Sequence, residues 1–315
     1  MKNKGNLIRL LLLLVCAVVA VFSGVRLISY FGDLAEERRS SNELKEIYYA
    51  SNTETVTAPS ATPEPTAVPE PTQEIPAVTG TPVITEVPPT ATPMTRLPTV
   101  RYPGQGQYAV ASETFLKLKQ KNQDIIGWLT IDGVVDQAVV QKDNTRYLTR
   151  DYLGNKNVNG ALFLDMSIPM STRPYTLMVY GHNMKTGEMF GKLLKYRDSA
   201  WYRSHGFVTF NSQYEDGRYV IFSAAKIQVV PGSSFVNLYG LLSDEVAQRE
   251  EIIAQLDTLS FFNNYVNVRP EDQLLLLITC DGDEDERFVV AARRVREGET
   301  EASLNLDVMK SSQKR

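Results

Sequence analysis

Two apolar runs near the C-terminus decide the fold class: Leu274-Leu-Leu-Leu-Ile-Thr-Cys280 and Arg287-Phe-Val-Val-Ala-Ala-Arg-Arg-Val295. Neither run contains proline or glycine, and the short acidic segment Asp-Gly-Asp-Glu-Asp-Glu separates them. Short apolar runs of this kind, bounded by turn-forming or charged residues, are typical of β-strands. We predict that 274–279 and 288–292 are the two strands that close a folded domain.

The sequence before these runs has the same character. Asp-Gly at 132–133 marks a turn between two predicted strands, 127–133 and 134–141. Three kinds of helix are predicted: one or two short helices within 112–126, a short helix at 187–194, and an amphipathic helix of about 20 residues at 238–259. Further runs rich in Val, Ile, Phe and Tyr predict strands at 161–165, 176–180, 207–211 and 218–230. Many short strands with few helices indicate a mostly β domain, either a closed barrel or a sandwich.

The prolines set the domain boundaries. Of the 16 prolines, 12 lie between Pro59 and Pro103, in a segment rich in Thr and Glu. Such a segment cannot bury enough apolar surface to fold, so we expect a disordered stalk at 59–103, able to reach on the order of 100 Å. The other boundaries that we expect are a juxtamembrane helical segment at 31–58, one folded domain at 104–298 and a polar tail at 299–315.

The N-terminus has the composition of a membrane anchor. The run Leu10 to Val25 is uninterrupted by charge, and Lys2, Lys4 and Arg9 precede it. About 20 apolar residues suffice to cross a bilayer, and the positive-inside rule places the N-terminus in the cytoplasm. We therefore expect residues 1–30 to form a single-pass signal anchor and the rest of the chain to be extracellular. A cleaved signal peptide is the alternative.

Composition excludes several classes of function. A formal net charge of −4 argues against a nucleic-acid partner, which usually meets a basic surface. Two cysteines exclude a disulfide scaffold, and two histidines argue against a histidine-rich metal site. The acidic segment 281–286 lacks an ordered pattern of Ca²⁺ ligands. We expect neither a metal nor a cofactor.

The scarce residues are the candidates for chemistry. Cys280 is the only cysteine outside the apolar N-terminal run, and it lies at a predicted strand end. It is either a reactive thiol or a buried, inert one. His182 follows another predicted strand, and a histidine there can reach a cysteine at a neighbouring strand end, as an activated thiol requires. His205 has no such placement, and we expect a structural role for it.

Together these motifs resemble the sortases, membrane-anchored cysteine transpeptidases of Gram-positive bacteria, and class B sortases most closely. The resemblance covers about 115–295. One departure is Leu276, which stands where the family's cysteine motif usually begins with Thr. The matching pieces, in family order, are Asn122-Gln-Asp-Ile-Ile-Gly-Trp-Leu129, Val139-Val-Gln141, Asp143-Asn144, Tyr147-Leu148, Gly160-Ala-Leu-Phe-Leu-Asp165, Tyr180-Gly-His-Asn-Met184, Ile278-Thr-Cys280 and Arg287-Phe-Val-Val290.

The resemblance implies a closed β-barrel of about eight strands, with N-terminal helices and one long amphipathic helix inserted between late strands. It implies that Cys280 is the nucleophile, His182 the general acid and base, and Arg287 the cation that holds the substrate carbonyl. Asn183, Asp165 and Thr279 adjoin these motifs and are possible supporting residues. We interpret Arg293 and Arg294 as solvated charges at a strand end, too far from Cys280 to take part.

The implied reaction is a transpeptidation at the cell surface. Secreted proteins with a C-terminal sorting signal of the Pro-x-Thr type are the expected substrates. An amine of a peptidoglycan precursor or of a pilin is the expected acceptor. Two alternatives stay open: a secreted cysteine peptidase that acts by hydrolysis, and a non-catalytic surface domain on a stalk.

Overall fold

A closed barrel of eight strands forms the centre of the molecule. The computed structural model describes residues 2–56, 99–101, 108–171, 174–281 and 283–314. Most of the predicted stalk lies outside these residues; within it, Thr99–Arg101 pairs with Tyr108–Val110. The barrel strands are β1 (Ile125–Ile131), β2 (Val135–Val140), β3 (Phe163–Leu164), β4 (Thr176–Tyr180), β5 (Phe207–Ser212), β6 (Arg218–Gln228), β7 (Leu274–Asp281) and β8 (Asp283–Arg294).

The strand order distinguishes a barrel from a sandwich. Around the barrel the strands follow the order β7-β8-β6-β5-β1-β2-β3-β4, and β4 pairs with β7 to close the ring. The pairs β4–β7 and β2–β3 are parallel, and the other pairs are antiparallel. The apolar residues of 274–278 are buried, as expected for strands with both faces covered. The predicted mostly β, closed-barrel fold is confirmed.

The helices lie outside the barrel. They are α1 (Lys2–Val56), α2 (Glu113–Lys121), α3 (Ser199–Ser204), α4 (Val246–Leu259) and α5 (Glu301–Lys310), with 3₁₀ turns at Arg146–Leu148, Leu193–Arg197 and Leu238–Leu242. Two predicted boundaries are wrong. Ile125 and Ile126 belong to β1, because α2 ends at Asn122. Residues 187–192 form turns, and the helical turn begins only at Leu193.

The amphipathic helix is inserted between late strands, as predicted, but it is shorter than the spacing suggested. α4 has 14 residues, and Leu238–Leu242 is a separate turn. Ser243 and Asp244 divide the two, because the Ser243 side chain accepts a hydrogen bond from the backbone of Glu245 and the Ser243 carbonyl accepts one from Arg249. This division leaves residues 238 and 239 free to face the barrel rather than to continue a helix.

α1 combines an apolar segment with a segment that packs on the barrel. It is the one helix among the described residues that is long and apolar enough to cross a membrane. Its apolar part ends at Phe31. Beyond it, buried residues recur at three- and four-residue spacing, which gives one helix face against the barrel. These residues are Leu34, Glu37, Ser40, Ser41, Leu44, Tyr48 and Ser51.

Specific contacts fix this docking. The ring of Tyr48 stacks on Trp128 of β1 with centroids 4.3 Å apart, a contact worth about 0.5–1.5 kcal/mol beyond its burial. Glu43 pairs with Lys121 of α2 at 2.7 Å. The helix therefore sets the distance between the apolar segment and the barrel. The expected reach of the Pro-rich segment concerns residues that lie mostly outside the described part of the chain, and it stays a prediction.

Residues expected to form a polar tail are instead packed. In α5 the side chains of Leu304 and Val308 are buried, and Thr300 caps the helix N-terminus. Arg293, expected to be solvated, is only 1% exposed and forms two hydrogen bonds with Glu299, at 2.6 and 2.8 Å. Arg294 is also engaged, with Glu215 at 3.2 Å. The interpretation of Arg293 was wrong because the chain folds back after β8, which brings Glu299 to the strand. That of Arg294 was wrong because Glu215, in the turn between β5 and β6, lies beside it.

Glu37 makes the docking of α1 sensitive to pH. Burial, with a further contribution from Glu188, raises the pKa of Glu37 from 4.5 to about 7. The folded state therefore holds a proton that the unfolded state has lost, so stability falls as pH rises from about 4.5 to about 7. We predict that Glu37→Gln removes this component, worth about 2–3 kcal/mol.

Thermal unfolding of the full chain in detergent between pH 4.5 and 8 measures the effect. The difference in melting temperature between Glu37→Gln and wild type should grow up to about pH 7 and then level off. Glu43→Gln, a change on an exposed part of the same helix, is the control and should follow the wild-type curve. Parallel curves for Glu37→Gln and wild type would contradict the assignment.

Arg293 gives a second stability prediction. Lysine keeps the charge but cannot reproduce the paired hydrogen bonds to Glu299 together with the bond to the Asn267 carbonyl. We expect Arg293→Lys to lower the free energy of unfolding by roughly 1–3 kcal/mol. Denaturant titration of the two proteins checks this. A silent Arg293→Lys would mean that the buried guanidinium is not needed.

Candidate active site

Cys280 and Arg287 face each other across neighbouring strands. In the β7–β8 ladder Cys280 is the Cα partner of Arg287, and the register shifts immediately after Cys280. Side chains of directly opposed residues lie on the same face of a sheet. The irregularity after Cys280 ends the regular pairing at the point where its thiol is exposed.

His182 reaches the same place from the other side of β7. β4 runs parallel to β7, with Tyr180 abreast of Ile278, and the Gly181 amide donates to the Ile278 carbonyl at 3.2 Å. Two residues further along each chain stand His182 and Cys280. The structure thus brings together three residues that lie 98 and 7 positions apart in the sequence, at the ends of three adjacent strands.

Gly181 is required by close packing rather than by backbone strain. A Cβ at this position would lie 2.4 Å from Cδ2 of Leu162 and 2.9 Å from the ring of Phe190. Any side chain here would push the strand end away from its neighbours. The Tyr-Gly-His order therefore lets β4 leave the barrel tightly, with His182 turned toward the end of β7.

Hydrogen bonds hold His182 and its neighbour. The His182 Nε2 atom lies 2.9 Å from the Leu148 carbonyl, so Nε2 carries the proton in this arrangement. The Asn183 side chain donates to the Cys280 carbonyl at 3.2 Å and ties the two strand ends together. Thr279 is buried, and its hydroxyl has no hydrogen-bond partner among the described residues.

A cleft of about 470 Å³ opens over these residues. His182, Cys280 and Arg287 line it together with aromatic and aliphatic side chains. The exposed apolar residues at its edge, such as Phe235, offer a surface for an extended peptide rather than for a small polar molecule. Its lining also includes Asn144, Leu148, Phe163, Tyr180, Val229, Val236, Leu238, Tyr239, Ile278 and Thr279.

Asp165 does not line the cleft but supports its wall. Its carboxylate accepts hydrogen bonds from Tyr239 at 2.8 Å, from Asn144 at 3.1 Å and from Ser167. Burial opposes ionisation, but these hydrogen bonds outweigh it, and the pKa of Asp165 lies below its ordinary value. Asp165 is thus an ionised carboxylate that holds the side chains of Asn144 and Tyr239 by hydrogen bonds. It lies outside the cleft lining that contains the reacting groups.

The charge around Arg287 comes partly from the acidic segment. Glu286, next to it, is paired with Lys226 of β6 at 2.6 Å. The Arg287 side chain is half-buried and donates to the Glu286 carbonyl at 2.9 Å. Lys226 thus compensates one of the carboxylates that follow Cys280.

His205 lies apart from this cleft. Its ring stacks on Trp201 with centroids 3.9 Å apart, and Nδ1 lies 2.9 Å from the Trp201 carbonyl. These contacts account for its position within the helical segment that precedes β5.

Sequence reasoning missed several residues of the cleft. Asn144 and Leu148 fall within motifs quoted above, but the motifs alone assigned them no role. Tyr239 had no signal, because 238–259 read as one helix, and Phe235 lies between the predicted strand at 218–230 and that helix, where no element was predicted. Only the break at Ser243 brings Tyr239 to the cleft.

Comparisons with known proteins agree with this geometry. The sortase domain family matches residues 129–295, more than half of the chain. Sortase B of Listeria monocytogenes is 29% identical over 172 residues, covering 53% of this chain and 67% of that protein. Sortase B of Staphylococcus aureus is 25% identical over 187 residues, covering 58% and 75%.

The fold is similar to that of a solved relative. The structure of a Staphylococcus aureus sortase B–substrate complex matches with a TM-score of 0.53 and 24% identity, covering 60% of this chain and 87% of that one. This likeness concerns the barrel. From the family match, the curated relatives and the barrel with its Cys, His and Arg at three strand ends, we conclude that the chain belongs to the sortase family and is a class B-like cysteine transpeptidase.

Proposed function

We propose that Cys280, His182 and Arg287 carry out the transpeptidation of a C-terminal sorting signal of the Pro-x-Thr type. The observation that carries the proposal is the convergence of these three side chains on one cleft. The apolar rim and the open shape of the cleft suit an extended peptide. The S. aureus sortase B of similar fold was solved as a complex with its substrate.

Acylation follows from the placement of the three groups. The Cys280 thiolate attacks the Thr carbonyl carbon, and electrons move onto the carbonyl oxygen, where the Arg287 guanidinium stabilises the developing charge. The peptide C–N bond then breaks, and protonated His182 gives its proton to the leaving amine. With Nε2 held by the Leu148 carbonyl, Nδ1 is the atom that exchanges this proton.

Deacylation reverses these roles. An incoming amine attacks the thioester carbonyl, His182 takes its proton, and the thiolate of Cys280 leaves. We propose that the acceptor is an amine of a peptidoglycan precursor or of a pilin. Water in place of the amine would make the enzyme a peptidase, so the acceptor decides between the two outcomes.

We also propose that the apolar part of α1 is a single-pass anchor with its N-terminus in the cytoplasm. Its length and the lysines before it support this topology. The domain at 104–298 is then the catalytic unit outside the cell, and the docked part of α1 holds it near the bilayer.

Capture of the acyl-enzyme tests the central step. A peptide library built on Pro-x-Thr, with a free amine added, should give a thioester adduct on Cys280 by mass spectrometry and then an amide product. Cys280→Ala should give neither, while its melting temperature stays within a few degrees of wild type, because the thiol is exposed. Cleavage by Cys280→Ala would rule out the nucleophile. Hydrolysis products alone would favour the peptidase.

The two histidines provide a matched comparison. We expect His182→Ala to lower kcat by roughly 10²–10⁴-fold, the usual contribution of a positioned acid–base group. His205→Ala removes the same ring away from the cleft and should change kcat little, although loss of the Trp201 stack should lower its melting temperature. Steady-state kinetics on one cleaved peptide separates the variants. Equal losses of kcat would remove the distinction.

Arg287 offers a test of orientation against charge. We expect Arg287→Lys to lose roughly 10²–10³-fold in kcat, since lysine keeps the charge but not the planar fork. The loss should appear in kcat rather than KM, because the interaction strengthens as charge develops on the oxygen. Arg294→Lys, at the far end of the same strand, is the control. A fully active Arg287→Lys would show that charge alone is enough.

A further inference from the structure

Glu37, Gln137 and Tyr152 form a chain of buried hydrogen bonds that leads from α1 into the barrel wall, and we call this chain the relay. Glu37 is fully buried, and its Oε1 accepts a hydrogen bond from the Gln137 amide at 3.2 Å, while Oε2 has no partner among the described residues. The side-chain oxygen of Gln137, Oε1, accepts a hydrogen bond from the Tyr152 hydroxyl at 2.7 Å. All three residues are buried, so the relay is shielded from water and its geometry is fixed by its own hydrogen bonds.

Tyr152, the last residue of the relay, contacts the two segments that pack against the residues before and after His182. The Tyr152 hydroxyl accepts a hydrogen bond from the Leu162 amide at 3.3 Å, and Leu162 packs on Gly181, the residue before His182. The same hydroxyl lies 3.4 Å from Sδ of Met189. Met189 forms a β-bridge with Asn183, the residue after His182. One buried hydroxyl therefore touches the two segments that fix the backbone of His182.

Two further contacts of α1 run beside the relay. The Asn157 side chain donates to the Asp33 carbonyl of α1 at 2.6 Å, in the loop that leads to Gly160. Gly160 packs against the His182 ring, where a Cβ would lie 3.1 Å from Cδ2. Arg38 of α1 pairs with Glu188 at 2.8 Å, one residue before Met189. Each loop that holds His182 is thus attached to α1.

We propose that the docked part of α1 positions the imidazole of His182 through the Glu37–Gln137–Tyr152 relay. Tyr152 and Glu37 are positioning residues: neither lines the cleft, and both act through the backbone of 181–183. In this arrangement the helix that follows the apolar segment is part of the support of the active site. The proposal takes from the proposed function only the role of His182.

The charged groups around Glu37 determine the pH at which its carboxyl ionises, and this sets the pH values for the experiments below. Glu188 and Asp151 face it from the two loops, and Arg38 and Lys45 lie on its own helix. Glu188 and Asp151 oppose ionisation of Glu37, whereas Arg38 and Lys45 favour it. Measurements at pH 5.5 and pH 8 therefore compare the relay with Glu37 largely protonated and largely ionised.

The imidazole signals report on position without any substrate. The chain has two histidines, so full-length protein labelled with ¹³C-histidine in detergent micelles gives two ring correlations by NMR. We expect Tyr152→Phe and Glu37→Ala to shift the His182 correlation, with His205 as the internal reference. Tyr202→Phe is the matched control, because Tyr202 is equally buried and also donates at 2.7 Å, to the Ile221 carbonyl.

Alkylation of the thiol measures the consequence. In a Cys16→Ala background, iodoacetamide reacts with Cys280 alone, at a rate that depends on a nearby imidazolium. His182→Ala gives the alkylation rate of Cys280 with no imidazole at position 182, and so the largest decrease that the other variants can reach. We expect Tyr152→Phe to lower the rate at pH 7 on the order of tenfold, the scale of a misplaced group. Tyr202→Phe and Glu43→Ala, which breaks only the pair with Lys121, should stay within twofold of wild type.

The outcomes separate the two proposals. If Glu37 and Tyr152 act in one relay, Glu37→Ala combined with Tyr152→Phe should slow alkylation no more than the stronger single change. Additive effects, or an unmoved His182 signal in Tyr152→Phe, would overturn the positioning role. A wild-type rate for His182→Ala would overturn the proposed pairing of His182 with Cys280, while the NMR signals would still decide the positioning role.

Discussion

The parallel pairing of β4 with β7 is the constraint on which the rest of the structure depends. It closes the barrel, and its last hydrogen bond, from the Gly181 amide to the Ile278 carbonyl, fixes where both chains leave the sheet. Because both strands run in the same direction, both leave at the same edge, and His182 and Cys280 come out side by side. The β7–β8 ladder then adds Arg287 from the other side. Sheet register alone therefore assembles the site from distant parts of the sequence.

The sequence was sufficient to predict strands from their own composition and to identify site residues of types that are rare in the chain. Runs such as 274–279 are buried on both faces, so their composition alone identifies strands. The single cysteine outside the apolar segment and the histidine after a strand were found because few other residues could do the same chemistry. The order of strands around the barrel was not derivable from such patterns, because it depends on pairings between residues about 100 positions apart. The family resemblance implied a closed barrel of about eight strands, and the structure supplied the order.

The failures share a physical cause: each concerned a polar residue whose hydrogen-bond partner is not revealed by the spacing of apolar residues. Arg293 reads as a solvated charge until the chain turns back and presents Glu299. Glu37 and Glu43 look alike on a charged helix, yet one is buried against Gln137 and the other lies at the surface with Lys121. Ser243 interrupts an apolar period that a helix would otherwise continue, because its side chain hydrogen-bonds locally. The spacing of apolar residues predicts the buried face of a helix or strand well. It says little about which polar side chains form hydrogen bonds or ion pairs.

The docked part of α1 changes how the catalytic barrel is connected to the apolar segment. A disordered stalk would let the barrel rotate and move away from the apolar segment, so the active site would meet its substrates at many angles. A continuous helix with a stacked Tyr48, an ion pair at Arg38 and a buried Glu37 fixes one orientation instead. Its contacts converge on the two loops that hold His182. The same packing that restrains the barrel relative to the helix therefore also restrains the imidazole, and a change that loosens one should loosen the other.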